Sequence, residues 1–236
     1  MNGELFQWLE AIRDRGEYVR DQLSHATPVF ALSRPEGILL LGVGRGQSKV
    51  FEIYDRHGMA GMGNPVDIEK IRQMAIESTH IEGFTRSPDD VTLRRLISYA
   101  LSPALKTGFE SVFQPPLIFE GVFAELGKRQ ENDVLMELSY DGNFDTVPDG
   151  LAVVSANQAA ATQAKAWLHE RLKPNTSHDR TIALLLAMWE AMSQARRIGK
   201  EIKAQPLNEI DLQGRVLELS ILDRHAQGRV TYQPLV

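Results

Sequence analysis

Residues 37–63, G-I-L-L-L-G-V-G-R-G-Q-S-K-V-F-E-I-Y-D-R-H-G-M-A-G-M-G, constrain the fold more than any other stretch of the chain. An apolar strand from Gly37 to Leu41 runs into a tight glycine turn, and a second strand spans Lys49 to Tyr54. The D-R-x-G turn Asp55–Gly58, in which His57 reads as a turn residue, then leads to a glycine-rich strand from Met59 to Gly63. Consecutive short strands joined by tight turns build an antiparallel sheet. Just upstream, Pro28-Val29-Phe30-Ala31-Leu32 and the turn Arg34-Pro35-Glu36-Gly37 add one more strand.

Helical periodicity brackets this strand region. Over 4–24, Leu5, Leu9, Ile12, Val19 and Leu23 recur at spacings of three, four and seven, with charges between them and Gly16 inside the pattern. Asn64-Pro65 opens a second helix, with Asn64 as N-cap and an apolar face of Ile68, Ile71, Met74 and Ala75. Ser87-Pro88-Asp89-Asp90 predicts a third helix start, followed by the stripe Val91, Leu93, Leu96, Ile97, Ala100 and Leu101. Pro103 should bend or interrupt that helix before its pattern resumes toward Phe109 and Val112.

Beyond Pro115-Pro116, strands are expected over 117–126, 133–140 and 151–154, with a turn at Asp141-Gly142-Asn143. Helices over 157–171 and 179–197 follow, then strands over 216–222 and 229–232. No break rich in Pro, Gly or Ser divides the chain, so residues 1–236 read as one domain. Helix pairs segregated from strand meanders predict an α+β fold, with helices covering two packed antiparallel sheets.

Charge and composition exclude several classes of function. The net charge of −5 argues against nucleic acid or an anionic membrane as the main partner. The chain has no cysteine, which removes disulfides and thiolate metal sites. The six histidines show no ligand spacing, so neither metal nor cofactor is expected. Gly42-x-Gly44-x-Gly46 leads into a strand and not a helix, so it reads as a hairpin turn and not a phosphate loop. No G-x-S-x-G elbow is present. Arg94-Arg95 and Arg196-Arg197 read as helix-surface pairs. Charges interrupt the N-terminal segment, and the longest apolar run, Ile182–Met192, contains Glu190. No signal peptide or membrane span is therefore expected, and the chain reads as cytoplasmic.

The element order resembles the four-layer αββα Ntn-hydrolase sandwich of 20S proteasome subunits, preceded by the extra N-terminal helix of the α type. Lys49-Val50-Phe51-Glu52-Ile53-Tyr54-Asp55-Arg56 is similar to that family's K-[IV]-x-x-[IL]-x-D segment. Ser87 to Leu96, S-P-D-D-V-T-L-R-R-L, looks like the second-helix entry of actinobacterial-type α subunits. Glu17-Tyr18-Val19-Arg20 resembles the E-Y-A-x-x-A signature of α subunits, at the family's distance from the Gly37 strand. The resemblance implies a helix over 4–24 ahead of a sandwich over 27–236. It also implies a cytoplasmic ring, heptameric in the family, that stacks on catalytic β subunits, admits unfolded proteins and docks an ATPase or other activator.

The same resemblance implies where chemistry would sit. Thr27 falls near the register of the β subunits' catalytic threonine, and Lys49 where they keep their active-site lysine. A threonine nucleophile needs its own free amine and a carboxylate that orients the lysine. The position of that carboxylate is occupied by Val43, the residue before Thr27 is Ala26 in place of glycine, and Pro28 follows. The serine-containing segment that assists a β site is here Ser155-Ala156-Asn157. A non-catalytic subunit is therefore expected, the alternative being a self-processing threonine peptidase that uses Thr27 and Lys49. In α subunits the matching lysine lines a pocket that receives an activator's C-terminal carboxylate. This gives Lys49, Glu17 and Ala26 as the implied activator-pocket residues. Leu5, Leu9, Ile12, Val19 and Leu23, flanked by Phe6 and Trp8, are the implied ring-packing face of the first helix. Residues 1–3 are too few to form a long gating tail ahead of that helix.

Overall fold

The computed structural model describes residues 2–194, 212 and 214–236, with side chains from Phe6 onward. The Leu5 side chain, the last turn predicted to 197 and the Arg196-Arg197 pair lie outside the described residues.

Helix α1 (Asn2–Ser24) precedes strands β1 (Val29–Arg34), β2 (Gly37–Gly44), β3 (Val50–Tyr54) and β4 (His57–Gly63). Helices α2 (Pro65–Thr85), α3 (Leu93–Arg95) and α4 (Ser102–Glu110) follow, the last two joined by a π-helical turn, Leu96–Leu101. Next come β5 (Phe119–Glu125), β6 (Val134–Ser139), β7 (Phe144–Thr146) and β8 (Leu151–Val154). Helices α5 (Gln158–Arg171) and α6 (His178–Ser193) and strands β9 (Val216–Asp223) and β10 (Tyr232–Pro234) complete the described elements. One sheet has the order β10-β9-β2-β1-β8 and the other β3-β4-β5-β6-β7, every pairing antiparallel.

Strand alternation sorts the side chains into layers. Val29 and Ala31 of β1, Ile38 and Leu40 of β2, and Val122 and Ala124 of β5 meet between the sheets. Phe30, Leu39 and Leu41 point the other way, against Trp167 and Leu168 of α5 and Leu185 and Trp189 of α6. Phe119, Phe123 and Met136 of the second sheet pack on Ile68 and Ile71 of α2 and on Leu96, Leu101 and Leu105. The result is the expected helix–sheet–sheet–helix sandwich with a further helix at its N-terminus.

The predicted start of the third helix is corrected. Ser87 caps only a 3-10 turn, Pro88–Asp90, and Thr92 caps the helix itself, its hydroxyl accepting from Arg95 N. A tertiary tie sets this start: the Glu125 carboxylate on β5 accepts the Leu93 N–H at 2.7 Å, while Arg56 donates to Val91 O. Pro103 widens the helix and does not break it. Proline has no N–H to offer the carbonyl four residues back, and Ser102 N–H reaches Ile97 O in a π-type bond just before it. His57 is also corrected. It begins β4, is 1% exposed, and places Nε2 3.6 Å from the Glu125 carboxylate.

Helix α1 lies across one open end of the sandwich. Its second half is anchored: Val19 and Leu23 enter the core between the sheets, and Arg15 donates to the carbonyls of Phe109, Gln114 and Gly108. Gly16 sits buried against Phe109, where a Cβ would stand 3.7 Å from the ring. The first half differs. Ile12 is half-buried, while Leu9 and Phe6 are 53% and 68% exposed and Trp8 is also exposed.

Candidate functional site

The ends of β1, β2, β4, β5 and β8 that converge beneath α1 form the site. The Ala26 N–H bonds to Leu23 O at 2.9 Å, so the chain passes from helix to β1 within a few residues. This places Thr27 beside Val43 and Lys49. The Lys49 Nζ donates to Thr27 Oγ1 at 2.7 Å and to the Thr27 carbonyl at 3.0 Å. The Thr27 hydroxyl in turn donates to Val43 O at 2.5 Å. The side chain expected to be an aspartate in a catalytic subunit is thus a buried valine whose carbonyl holds the threonine. Gly42 and Gly44 give the lysine stem its passage: a Cβ on Gly42 would stand 3.1 Å from Lys49 Cβ.

Glu218 lies opposite Gly42 on β9. Its Oε2 accepts the backbone amides of Lys49 at 2.8 Å and Val50 at 3.2 Å, which fixes the start of β3. Burial pulls the Lys49 ammonium down to about 8, opposed by the charge of Glu218 and reinforced by Arg215. The group lines a cavity of about 470 Å³ with Ala26, Thr27, Arg45, Ile68 and Arg215. Ala26 and Lys49 are therefore brought together. Glu17 is not among the lining residues; it sits on the exposed face of α1, 3.9 Å from Arg13.

A second cleft of about 300 Å³ lies under α1, lined by Arg20, Glu120, Glu137, Tyr140, Asp141, Ser155 and Ala156. Ser155 and Ala156 line this cleft and not the Thr27 cavity, and Asn157 caps α5 by accepting from Ala160 N. Burial pushes the Glu120 carboxyl up to about 7, with the charges of Asp141 and Glu137 adding to the effect.

A group raised on folding binds protons more tightly in the native state, so its stabilising effect is complete below the unfolded value. That effect is lost as pH rises through the folded value. Glu120→Gln is therefore expected to remove a loss of stability between about pH 4.5 and about pH 7. The variant should be the more stable by about 1–3 kcal/mol at pH 8. Urea denaturation at pH 5 and pH 8 checks this; equal pH dependence in both proteins contradicts it.

Sequence reading did not single out Arg45, Arg215, Glu218 or Glu120. The available signal was a charged residue on the core-facing register of an apolar strand: Glu218 shares its face with Ser220 and Leu222, and Glu120 with Val122 and Ala124. Among the described residues, no group of three or more His, Asp or Glu side chains is placed to hold a metal ion. No described helix is long and apolar enough to cross a membrane.

Two five-stranded antiparallel sheets between helix layers, with a threonine ahead of β1 contacting a lysine ahead of β3, define an Ntn-hydrolase-type sandwich. Curated proteasome α subunits are similar to the chain along most of its length. That of Actinosynnema mirum is 30% identical over 211 residues, covering 89% of this chain and 77% of the relative. Those of Streptomyces scabiei and Streptomyces coelicolor are each 30% identical over 217 residues, covering 91% of this chain and 81% and 79% of the relatives. No protein-family model matches the chain. On these relatives, the chain belongs to the proteasome α-subunit family.

Proposed function

We propose that the chain is a non-catalytic α-type subunit of a 20S proteasome core particle in the cytoplasm. In this reading residues 1–236 act as one α-type domain. Copies of it form an outer ring of seven that stacks on catalytic β subunits, controls the entry of unfolded proteins and docks an ATPase or other activator. The observation that carries the reading is the state of Thr27. The position of the carboxylate that would orient Lys49 in a catalytic site is held by buried Val43, whose carbonyl engages the Thr27 hydroxyl, and the preceding helix is pinned over the site by Arg15, Val19 and Leu23. A threonine nucleophile needs a carboxylate that orients its lysine, and among the described residues the Lys49 ammonium has hydrogen bonds to Thr27 oxygens in place of one. The cavity beside it supports docking: a partly shielded ammonium in a cavity also lined by Arg45 and Arg215 suits a C-terminal carboxylate. Leu9, Phe6 and Trp8, left exposed on α1, are available for packing against a neighbouring copy. Negative-stain microscopy of the purified chain, alone and co-expressed with a β-type partner, tests the assembly. Seven-fold rings support it, and monomers under both conditions refute it.

One observation favours a second reading, a self-processing threonine peptidase: the 2.7 Å contact between Lys49 and Thr27. That enzyme must cleave Ala26–Thr27 to free its amine. Intact mass separates the readings. A subunit without chemistry retains α1, and Thr27→Ala changes neither its mass beyond the substitution nor the peptidase rate of the assembled particle. Loss of the residues before Thr27, abolished by Thr27→Ala, establishes the enzyme.

A further inference from the structure

We propose that Lys49 is a covalent modification site, acylated on Nζ by small anionic acyl donors of the acyl-phosphate class. The surroundings of the amine favour its neutral form. Its hydrogen-bond partners are two neutral oxygens of Thr27, at 2.7 and 3.0 Å. No carboxylate lies within ion-pair distance of it among the described residues. The nearby acid, Glu218, spends Oε2 on the amides of Lys49 and Val50. A shielded ammonium with neutral acceptors releases a proton readily, and burial brings this one to about 8. At pH 7.5 roughly a quarter of it is free amine, against about one part in a thousand for an ordinary lysine. The two N–H groups that stay on Thr27 hold the nitrogen in place, and the lone pair then lies away from Thr27.

The cavity supplies the preference for donor. Arg45 and Arg215 line it beside Lys49, and their guanidinium groups attract a phosphate leaving group. A volume of about 470 Å³ admits a small donor. The step balances without a redox partner. Nζ attacks the acyl carbon and a C–N bond forms. The acyl C–O bond then breaks, inorganic phosphate leaves with the electron pair, and the displaced amine proton passes to solvent. The product amide carries no charge and one N–H. Its effect on carboxylate docking rests on the proposed function; the modification itself does not.

The test incubates the purified protein with acetyl phosphate from pH 7 to pH 10 and quantifies acetylation by peptide mapping, with exposed Lys70 and Lys128 as internal references. At pH 7.5 Lys49 should react on the order of ten times faster than either, and its rate should level off above about pH 8 while theirs continue to climb. Arg45→Ala should slow Lys49 acetylation by acetyl phosphate several-fold while leaving its reaction with an uncharged acetyl ester unchanged. Lys49 reacting no faster than the exposed lysines, or following their pH profile, overturns the proposal. An Arg45→Ala effect equal for both donors overturns the anionic class.

Discussion

Asp133→Ala should lose about 3–5 kcal/mol of stability, enough to leave many domains of this size only marginally folded. The Arg224 and Asp133 side chains are 10% and 2% exposed. They meet in a fork, Nη1 to Oδ1 at 2.9 Å and Nη2 to Oδ2 at 2.8 Å. Arg224 also donates to the carbonyls of Gly127, Arg34 and Pro35, and Asp133 accepts from Ser33 Oγ and Gly127 N. One ion pair therefore fastens the β1–β2 turn, the segment between β5 and β6, and the end of β9. Removing the carboxylate strands a shielded guanidinium together with the Ser33 hydroxyl and the Gly127 amide, and unpaired buried groups account for most of the cost. Asp133→Asn keeps the shape and part of the hydrogen bonding, so it should fall between wild type and alanine. Urea midpoints measure both, and an alanine variant within 1 kcal/mol of wild type contradicts this account.

That pair also marks the limit of what the sequence reveals. Arg224 and Asp133 stand 91 positions apart, and nothing local to either points to the other. Features written locally were legible. The strand segments over 37–63 follow from short apolar runs and the D-R turn, and Asn64-Pro65 sets the start of α2, where the Asn64 side chain accepts from Val66 N. The hairpin turn read at Gly42-x-Gly44-x-Gly46 is corrected, because Gly42 and Gly44 lie inside β2, paired with Glu218 and Val216 of β9, and β2 and β3 belong to different sheets. Strand β7, Phe144–Thr146, was not legible. It is a three-residue edge strand with every side chain exposed, so no burial pattern was written into it.

Local signals failed where a distant group overrode them. Ser87 is a competent cap, but Glu125 from β5 captures the Leu93 amide and moves the helix start beyond Val91. In the site, only the family resemblance brought Lys49 and Thr27 together on paper. Glu218 and Arg215 enter only through the pairing of β9 with β2, which places Glu218 opposite Gly42. A chain-order reading sees those residues about 170 positions away from the lysine they influence.

Lys49→Ala is expected to weaken docking of a peptide with a free C-terminal carboxylate by about 2–5 kcal/mol, or roughly 30-fold to several thousand-fold. The probe is a short peptide compared with its C-terminal amide, binding to the assembled protein. In wild type the acid should bind more tightly than the amide; in Lys49→Ala that preference should vanish, because the amide never used the charge. The pH dependence has a definite sign. Docking requires the ammonium, which in the free protein loses its proton near 8 because it is shielded from water. Below that pH the contribution of Lys49 is constant. Above it the affinity should fall, approaching tenfold per pH unit, until the higher value that a docked carboxylate imposes on the same amine is reached. An ordinary exposed lysine would leave docking nearly unchanged until about pH 10. A decline beginning near pH 8 in wild type and absent in Lys49→Ala therefore assigns the carboxylate to this nitrogen. Acid and amide binding equally well in both proteins removes Lys49 from the docking site.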